Sequence, residues 1–151
     1  MKLFAFLLLL PIFCFCQSKL LVNVNPTGSY KLNVKTITKG EDTYGYFGDI
    51  KVKRLNNSKI VLTLFVCKGA PSYNSGSIWD TLEFKNNKAV YFTEDDTTCR
   101  ITFTFNQRGV SVEQQAASPN FACGFGHAVD AYGYYRKTSS KIPVIKDPAE
   151  D

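Results

Sequence analysis

The sequence predicts an all-β protein, a small antiparallel β-barrel or sandwich of about eight strands. Three observations favour this class. Apolar and polar residues alternate along most of the chain with the period of two that strands show, and patterns of helical period are nearly absent. Clusters of Asn, Gly, Pro, Asp and Ser separate the alternating runs. The 151 residues, 44% hydrophobic and 21% charged, suit one globular domain. A barrel is preferred because closure removes exposed strand edges.

The first hairpin is predicted around the central strand of the sheet. Residues 60–67 are rich in β-branched residues and apolar on both faces, which indicates a central strand. Residues 46–55 precede this run across a polar Asn-Asn-Ser turn, so the two segments are expected to pair. Further strands are predicted at residues 19–25, 30–38, 78–84, 89–93 and 128–136.

A second hairpin is predicted over residues 99–114, with residues 106–109 as its turn. In this register Phe105 lies opposite Val110. Phe103 then lies opposite Val112, so the apolar side chains of both strands share one face. The other face is expected to meet water, and it carries Arg100, Thr102, Thr104, Ser111 and Glu113.

Residues 1–16 have the pattern of a secretory signal peptide. Lys2 gives a positive start, an apolar run follows, and small residues arrive at Cys14 and Cys16. The apolar run is too short to span a membrane, because polar residues follow from Gln17. We expect cleavage after Cys16 and export to the periplasm or the cell exterior. The alternative is a lipoprotein signal with a lipidated cysteine.

These boundaries divide the chain into three parts. The leader covers residues 1–16, a β-barrel-like domain residues 17–138 and a mobile tail residues 139–151. The tail contains two prolines and has an acidic end.

Three cysteines remain after removal of the leader, in a compartment where disulfides persist. We expect a disulfide between Cys99 and Cys123, because Cys99 begins a predicted strand whose hairpin partner leads directly into the Cys123 loop. Cys67 is then a buried thiol. The alternative pairs Cys67 with Cys123 and leaves Cys99 free. A zinc site is a weaker interpretation, since the chain has one histidine and no C-x-x-C spacing.

Two loops are the candidate binding segments. Residues 68–77 form a polar connection between two predicted strands, where binding groups are often found. The second loop covers residues 121–135. Its Gly124 and Gly126 permit backbone angles closed to other residues, and Cys123 is expected to fix it as a rigid recognition loop that presents Phe125, His127 and Tyr132. The structural alternatives are a solvated connection and a fixed barrel corner. The candidate binding residues are Tyr73, Asn74, Ser75, Phe125, His127 and Tyr132.

The sequence contains no recognisable catalytic constellation. Glu94, Asp95 and Asp96 form an acidic group, but a glycosidase needs two carboxyl groups whose environments separate their pKa values. His127 is the only histidine, and Asp130 is too local to be an obvious partner for a triad. We therefore expect a protein that is not an enzyme and that uses no cofactor or metal.

The formal net charge of +5 is spread along the chain. Basic residues of this kind suit anionic polymers of the cell envelope or an acidic protein, and an ordinary solvated β-face is the alternative. Nucleic acid is not an expected partner, because no recognisable module interleaves aromatic and basic residues. The sequence contains two groups of basic residues. Lys31, Lys35 and Lys39 would lie on the same face of one predicted strand. The second group surrounds the first hairpin and comprises Lys51, Lys53, Arg54 and Lys59.

Residues 91–137 resemble a pattern that recurs in small exported bacterial proteins. Its parts here are Cys99-x-Ile-x-Phe-x-Phe105, Val110-x-Val-x-Gln114, Cys123-Gly-Phe-Gly126 and Asp130-x-x-Gly-x-Tyr135. Envelope proteins of uncharacterised function carry such a CGFG module, and some of them resemble lysozyme-inhibitor-type domains.

The resemblance implies a non-catalytic exported binding module of the bacterial cell envelope. Its partner would be an envelope protein or a lysozyme-type enzyme, and a lysozyme inhibitor is one form of this function. The alternative function is a small-ligand carrier, because a barrel of about eight strands can hold one ligand inside.

Overall fold

The computed structural model describes residues 22–93, 96–118 and 120–146. Four predicted features lie wholly or partly outside the described residues. They are the leader, residues 19–21 of the first predicted strand, Glu94 and Asp95 of the acidic group, and residues 147–151 of the tail.

The described residues form one antiparallel sheet. Its strand order is β5-β4-β3-β1-β9-β8-β7-β6, and β2 pairs with β3 outside this path. The two end strands, β5 and β6, are joined by a short turn, so the sheet curls into a nearly closed eight-stranded barrel. This confirms the predicted fold class. The strands are β1 (Gly28–Leu32), β2 (Ile37–Lys39), β3 (Asp42–Arg54), β4 (Lys59–Gly69), β5 (Ser75–Glu83), β6 (Lys88–Phe92), β7 (Arg100–Phe105), β8 (Gly109–Gln115) and β9 (Gly133–Ser139), with a 3-10 turn at Ala122–Gly124.

Both predicted hairpins are confirmed. β3 pairs with β4, and Arg54 lies opposite Ile60 at the turn between them. β7 pairs with β8 in the predicted register, with Phe105 opposite Val110. The Asn106 side chain closes this second turn by accepting the N–H groups of Arg108 and Gly109. A turn that caps itself in this way fixes the register of the strands on either side.

The prediction of a strand over residues 19–25 is wrong for the described residues 22–25, which form no strand. Their backbone binds a side chain instead of a neighbouring strand. The Asn87 amide accepts the N–H of Val24 at 2.9 Å and donates to the carbonyl of Val22 at 2.7 Å. One asparagine thus replaces the ladder partner that a strand requires.

Two other predicted strands have different boundaries in the structure. The segment 30–38 is broken between β1 and β2, so Lys35 lies outside both strands and does not share a strand face with Lys31 and Lys39. The predicted strand at 128–136 begins only at Gly133. Ala128 has φ +52, which is incompatible with a strand, and this explains the later start.

Inward-facing side chains fill the barrel. Tyr30, Phe103 and Tyr135 are among its largest fully buried side chains. The Phe105 ring packs edge-on against Tyr30 at 6.0 Å and against Phe84 at 5.7 Å between ring centroids. The interior formed by the described strands is therefore packed, as in small barrels whose lumen is their core. This packing weighs against a ligand held inside the barrel.

The described part of the predicted tail begins within the barrel. Ser139 is the last residue of β9 and pairs with Ser29 of β1, so the barrel domain extends one residue beyond the predicted boundary. Residues 140–146 have no regular secondary structure. The mobility of the tail stays a prediction.

Candidate functional site

The longer connections of the barrel collect at one of its ends. Because neighbouring strands are antiparallel, the connections that follow β1, β4, β6 and β8 all lie at the same end. We call this the loop end, and it contains both candidate binding loops. Short turns at residues 55–58, 84–87 and 106–108 close the opposite end, which we call the turn end.

Direct hydrogen bonds join the two candidate loops. The side-chain amide of Asn74 donates to the carbonyl of His127 at 3.0 Å. The N–H of Gly126 donates to the carbonyl of Ser75 at 2.8 Å. Three of the predicted binding residues, Asn74, Ser75 and His127, therefore lie together although about 50 residues separate them in the chain.

The prediction that Phe125 presents its ring to a partner is wrong. Its side chain is only 2% exposed. The ring lies against the backbone of Gly76, where an added Cβ would come within 2.3 Å of two ring atoms. Phe125 thus packs between the two loops. Removal of its apolar ring from water stabilises the folded protein, whereas an exposed ring would contribute no such stabilisation. Its role is to position the site.

Tyr73 is fixed at the rim of the first loop. Its backbone has φ +50, and its N–H donates to the carbonyl of Gly69 at 2.9 Å. Its hydroxyl donates to the Asp42 carboxylate and accepts the N–H of Thr43, both at 3.0 Å. The ring keeps 40% of its surface exposed. Tyr73 therefore connects the loop to the start of β3 and still offers a face for contact.

A disulfide anchors the second loop. Cys99 and Cys123 are bonded, which confirms the predicted pair and leaves Cys67 as the buried free thiol. Asp96 supports this anchor: its carboxylate accepts the Thr98 hydroxyl at 2.6 Å and the N–H of Cys123 at 3.4 Å. The Thr98 hydrogen bond, opposed by desolvation and assisted by backbone N–H groups, lowers the pKa of Asp96. Asp96 is therefore a structural carboxylate.

Aromatic rings stand out from the second loop. Phe121 is 67% exposed and Tyr132 is 68% exposed. The ring of Phe121 lies 5.4 Å from the ring of exposed His127, in a tilted arrangement. The structure therefore places Tyr132 and His127 at the surface, as the sequence predicts, and it adds Phe121. Phe121 is not among the binding residues predicted from the sequence, although an aromatic residue beside a glycine-rich segment could have indicated it.

A depression of about 400 Å³ lies beside this loop. The Tyr46 hydroxyl donates to the carbonyl of Ala128 at 2.9 Å, and the Gln114 side chain accepts the N–H of Ala131 at 2.9 Å. Burial, and next the charge of Asp130, raise the pKa of Tyr46. These contacts hold the loop over the barrel wall. The depression is lined by Tyr46, Gln114, Ala116, Ser118, Ala122, Ala128, Val129 and Asp130.

The described residues of the loop end offer exposed rings and hydrogen-bonding groups for contact. The Asp130 carboxylate accepts the N–H of Tyr132 two residues away and so shapes its own turn. Among the described residues, no three His, Cys, Asp or Glu side chains come close enough together to hold a metal ion. The arrangement is suited to binding by shape, aromatic contact and hydrogen bonds.

Comparisons with known proteins give no relatives. The chain matches no protein-family model, no curated protein and no solved structure. The fold and the site therefore define it as a small antiparallel β-barrel with a disulfide-anchored loop surface. None of the helices in the described residues is long and apolar enough to cross a membrane.

Proposed function

We propose that this chain is a non-catalytic exported binding module of the bacterial cell envelope, which recognises a protein partner through its loop end. The observation that carries the proposal is the joining of two distant loops into one surface, through the Asn74–His127 and Ser75–Gly126 hydrogen bonds. A surface fixed before binding loses little conformational entropy when it engages a partner.

The exposed rings favour a protein as the partner. Aromatic residues are enriched at the centres of protein interfaces and among the residues that contribute most to binding. Tyr73, Phe121 and Tyr132 supply such rings on backbone held by hydrogen bonds or by the disulfide. The disulfide and the leader pattern support export, because disulfides persist in oxidising compartments. A lysozyme-type enzyme is the first partner to test, given the resemblance of residues 91–137.

The test uses the exported, processed protein in a peptidoglycan lysis assay with lysozymes of several structural classes. We expect slower lysis by at least one class. Phe121→Ala and Tyr132→Ala should each weaken the effect about tenfold or more, which corresponds to about 1.4 kcal/mol. Leu55→Ala is the matched control, because Leu55 is 48% exposed but lies at the turn end. It should leave the effect unchanged.

Two results would count against the proposal. The absence of any effect at a large molar excess across all classes would exclude the lysozyme-inhibitor form. The broader proposal is then tested by binding to immobilised envelope proteins. It fails if binding is absent, or if Phe121→Ala and Tyr132→Ala bind as the unaltered protein does.

A further inference from the structure

The outer wall of the barrel carries a second surface, separate from the loop end. Strand register aligns outward side chains across β5, β4, β3, β1 and β9. At about 4.8 Å per strand, each row across these five strands is about 19 Å long. One row reads Trp79, Thr63, Lys51, Ser29 and Ser139, and the next reads Ser77, Phe65, Asp49, Lys31 and Arg136.

One half of this wall is basic. Lys31 and Arg136 lie directly opposite each other, and Lys51 and Lys53 follow at outward positions of β3. All four side chains are exposed, and none forms an ion pair with another described residue. Like charges directly opposite each other destabilise a sheet. A bound anion would relieve this repulsion, and the half-buried Asp49 offsets only one of the four charges.

The other half of the wall is aromatic. Phe65 is 39% exposed and Trp79 is 38% exposed, on neighbouring strands. The ring of half-buried Phe47 lies 6.3 Å from that of Phe65. Aromatic side chains grouped on an exposed sheet face are unusual unless something covers them.

A depression of about 380 Å³ lies at the junction of the two halves. Lys51 and Thr63 of the wall line it together with Val144, Ile145 and Lys146 from the segment after β9. A ligand seated there would meet cations on one side and aromatic rings of the adjacent strands on the other.

We propose that this wall binds a carboxylate-bearing polysaccharide. The charge of the basic half is complementary to a polymer that carries one anion on each of its sugars. Three of the four cations are lysines, whose compact point charges on flexible stems can follow singly charged, regularly spaced carboxylates without a fixed bidentate geometry. The apolar faces of sugar rings pack on exposed aromatic rings. A polyanion without rings has no such face and cannot make this contact. The proposal does not depend on the function of the loop end.

The test measures binding of the full exported protein to three soluble polymers at low ionic strength. Polygalacturonate supplies rings and carboxylates, polyglutamate supplies carboxylates alone, and dextran supplies rings alone. We expect binding to polygalacturonate that weakens steeply as salt is added. Polyglutamate should bind at least tenfold more weakly, and dextran should not bind measurably.

Variants assign the binding to the wall. Lys31→Gln combined with Lys51→Gln should weaken polygalacturonate binding at least tenfold. Lys85→Gln combined with Lys88→Gln removes the same charge from exposed lysines at the β5–β6 turn, outside the five strands of the wall, and should change it less than twofold. Trp79→Ala should also weaken binding at least fivefold, with Phe65→Leu as the second aromatic variant if Trp79→Ala does not fold.

Several outcomes would overturn the proposal. They are no binding of polygalacturonate, equal binding of polyglutamate, equal losses in the two lysine pairs, or no effect of the aromatic variants. Tighter binding of a single-stranded oligonucleotide would assign the wall to nucleic acid instead. Phe121→Ala should retain polygalacturonate binding, so the outcome here is distinguishable from that at the loop end.

Discussion

The contact between Gly76 and Phe125 is the point at which the two loops depend most directly on each other. An alanine at position 76 would place its Cβ within 2.3 Å of the Phe125 ring and 2.9 Å of its Cβ. Gly76 does not have a left-handed backbone conformation, so the strain of Gly76→Ala comes from this clash alone. Phe125→Ala removes the ring and leaves a cavity in its place. The two substitutions should therefore compensate each other.

The magnitudes follow from burial and overlap. Phe125 is 2% exposed, so Phe125→Ala should lower the free energy of unfolding by about 3–5 kcal/mol. Gly76→Ala should lower it by about 1–3 kcal/mol through overpacking. Independent effects would add to about 4–8 kcal/mol. We expect the double variant to lose only about 3–5 kcal/mol, because the new methyl group occupies part of the vacated space.

Urea unfolding followed by the fluorescence of Trp79, the single tryptophan, measures these free energies. Amide exchange at Gly126 gives a second readout, because its N–H donates to Ser75 across the loops and should exchange faster in Phe125→Ala. If Phe125→Ala does not fold, Phe125→Leu replaces it.

Gly48→Ala is the matched control for the double variant. Its added Cβ would meet the backbone carbonyl of Phe65 at 2.4 Å, away from Phe125, so its cost should add fully to that of Phe125→Ala. Simple additivity for Gly76→Ala and Phe125→Ala would refute the packing of the ring between the loops.

Two further predictions concern the disulfide and the buried tyrosines. Replacing Cys99 and Cys123 by alanine should lower the free energy of unfolding by about 3 kcal/mol, since the bond closes a loop with a sequence separation of 24; an unchanged urea midpoint would contradict this. Burial raises the pKa of Tyr30, so its contribution to stability is complete below the unfolded-state pKa of about 10 and falls as pH rises above it. At pH 11, one unit above the unfolded-state pKa, the loss should be about 1.4 kcal/mol, and Tyr30→Phe should reduce the decline between pH 9 and 11 in urea titrations; an identical decline would count against it.

Local patterns account for the parts of the fold that the sequence predicts well. The β7–β8 hairpin follows from alternation and a self-capping Asn106 turn, so even the pairing of Phe105 with Val110 is predictable. The Cys99–Cys123 bond follows from the same hairpin, because β8 leads directly to the Cys123 loop. These inferences need only residues close together in the chain.

The parts that sequence analysis misses depend on distant contacts. The burial of Phe125 depends on Gly76, which lies on a strand almost 50 residues earlier. In the sequence, Asp96 is one member of an acidic group. In the structure, its carboxylate accepts the backbone N–H of Cys123. The strand predicted to begin at residue 128 begins later, at Gly133. The backbone at Ala128 is not extended, and its carbonyl accepts a hydrogen bond from the Tyr46 hydroxyl. No alternation pattern carries such information.

The chain enters the barrel at the turn end, where Asn87 holds Val22 and Val24. A tether placed ahead of Val22 would therefore leave the loop end pointing away from the support. Capture through an N-terminal tag on a sensor chip is accordingly the suitable geometry for partner screening. Coupling through lysine amines would instead modify Lys31 and Lys51 and mask the outer wall. The orientation of the barrel thus determines which of its two surfaces an immobilised sample can report on.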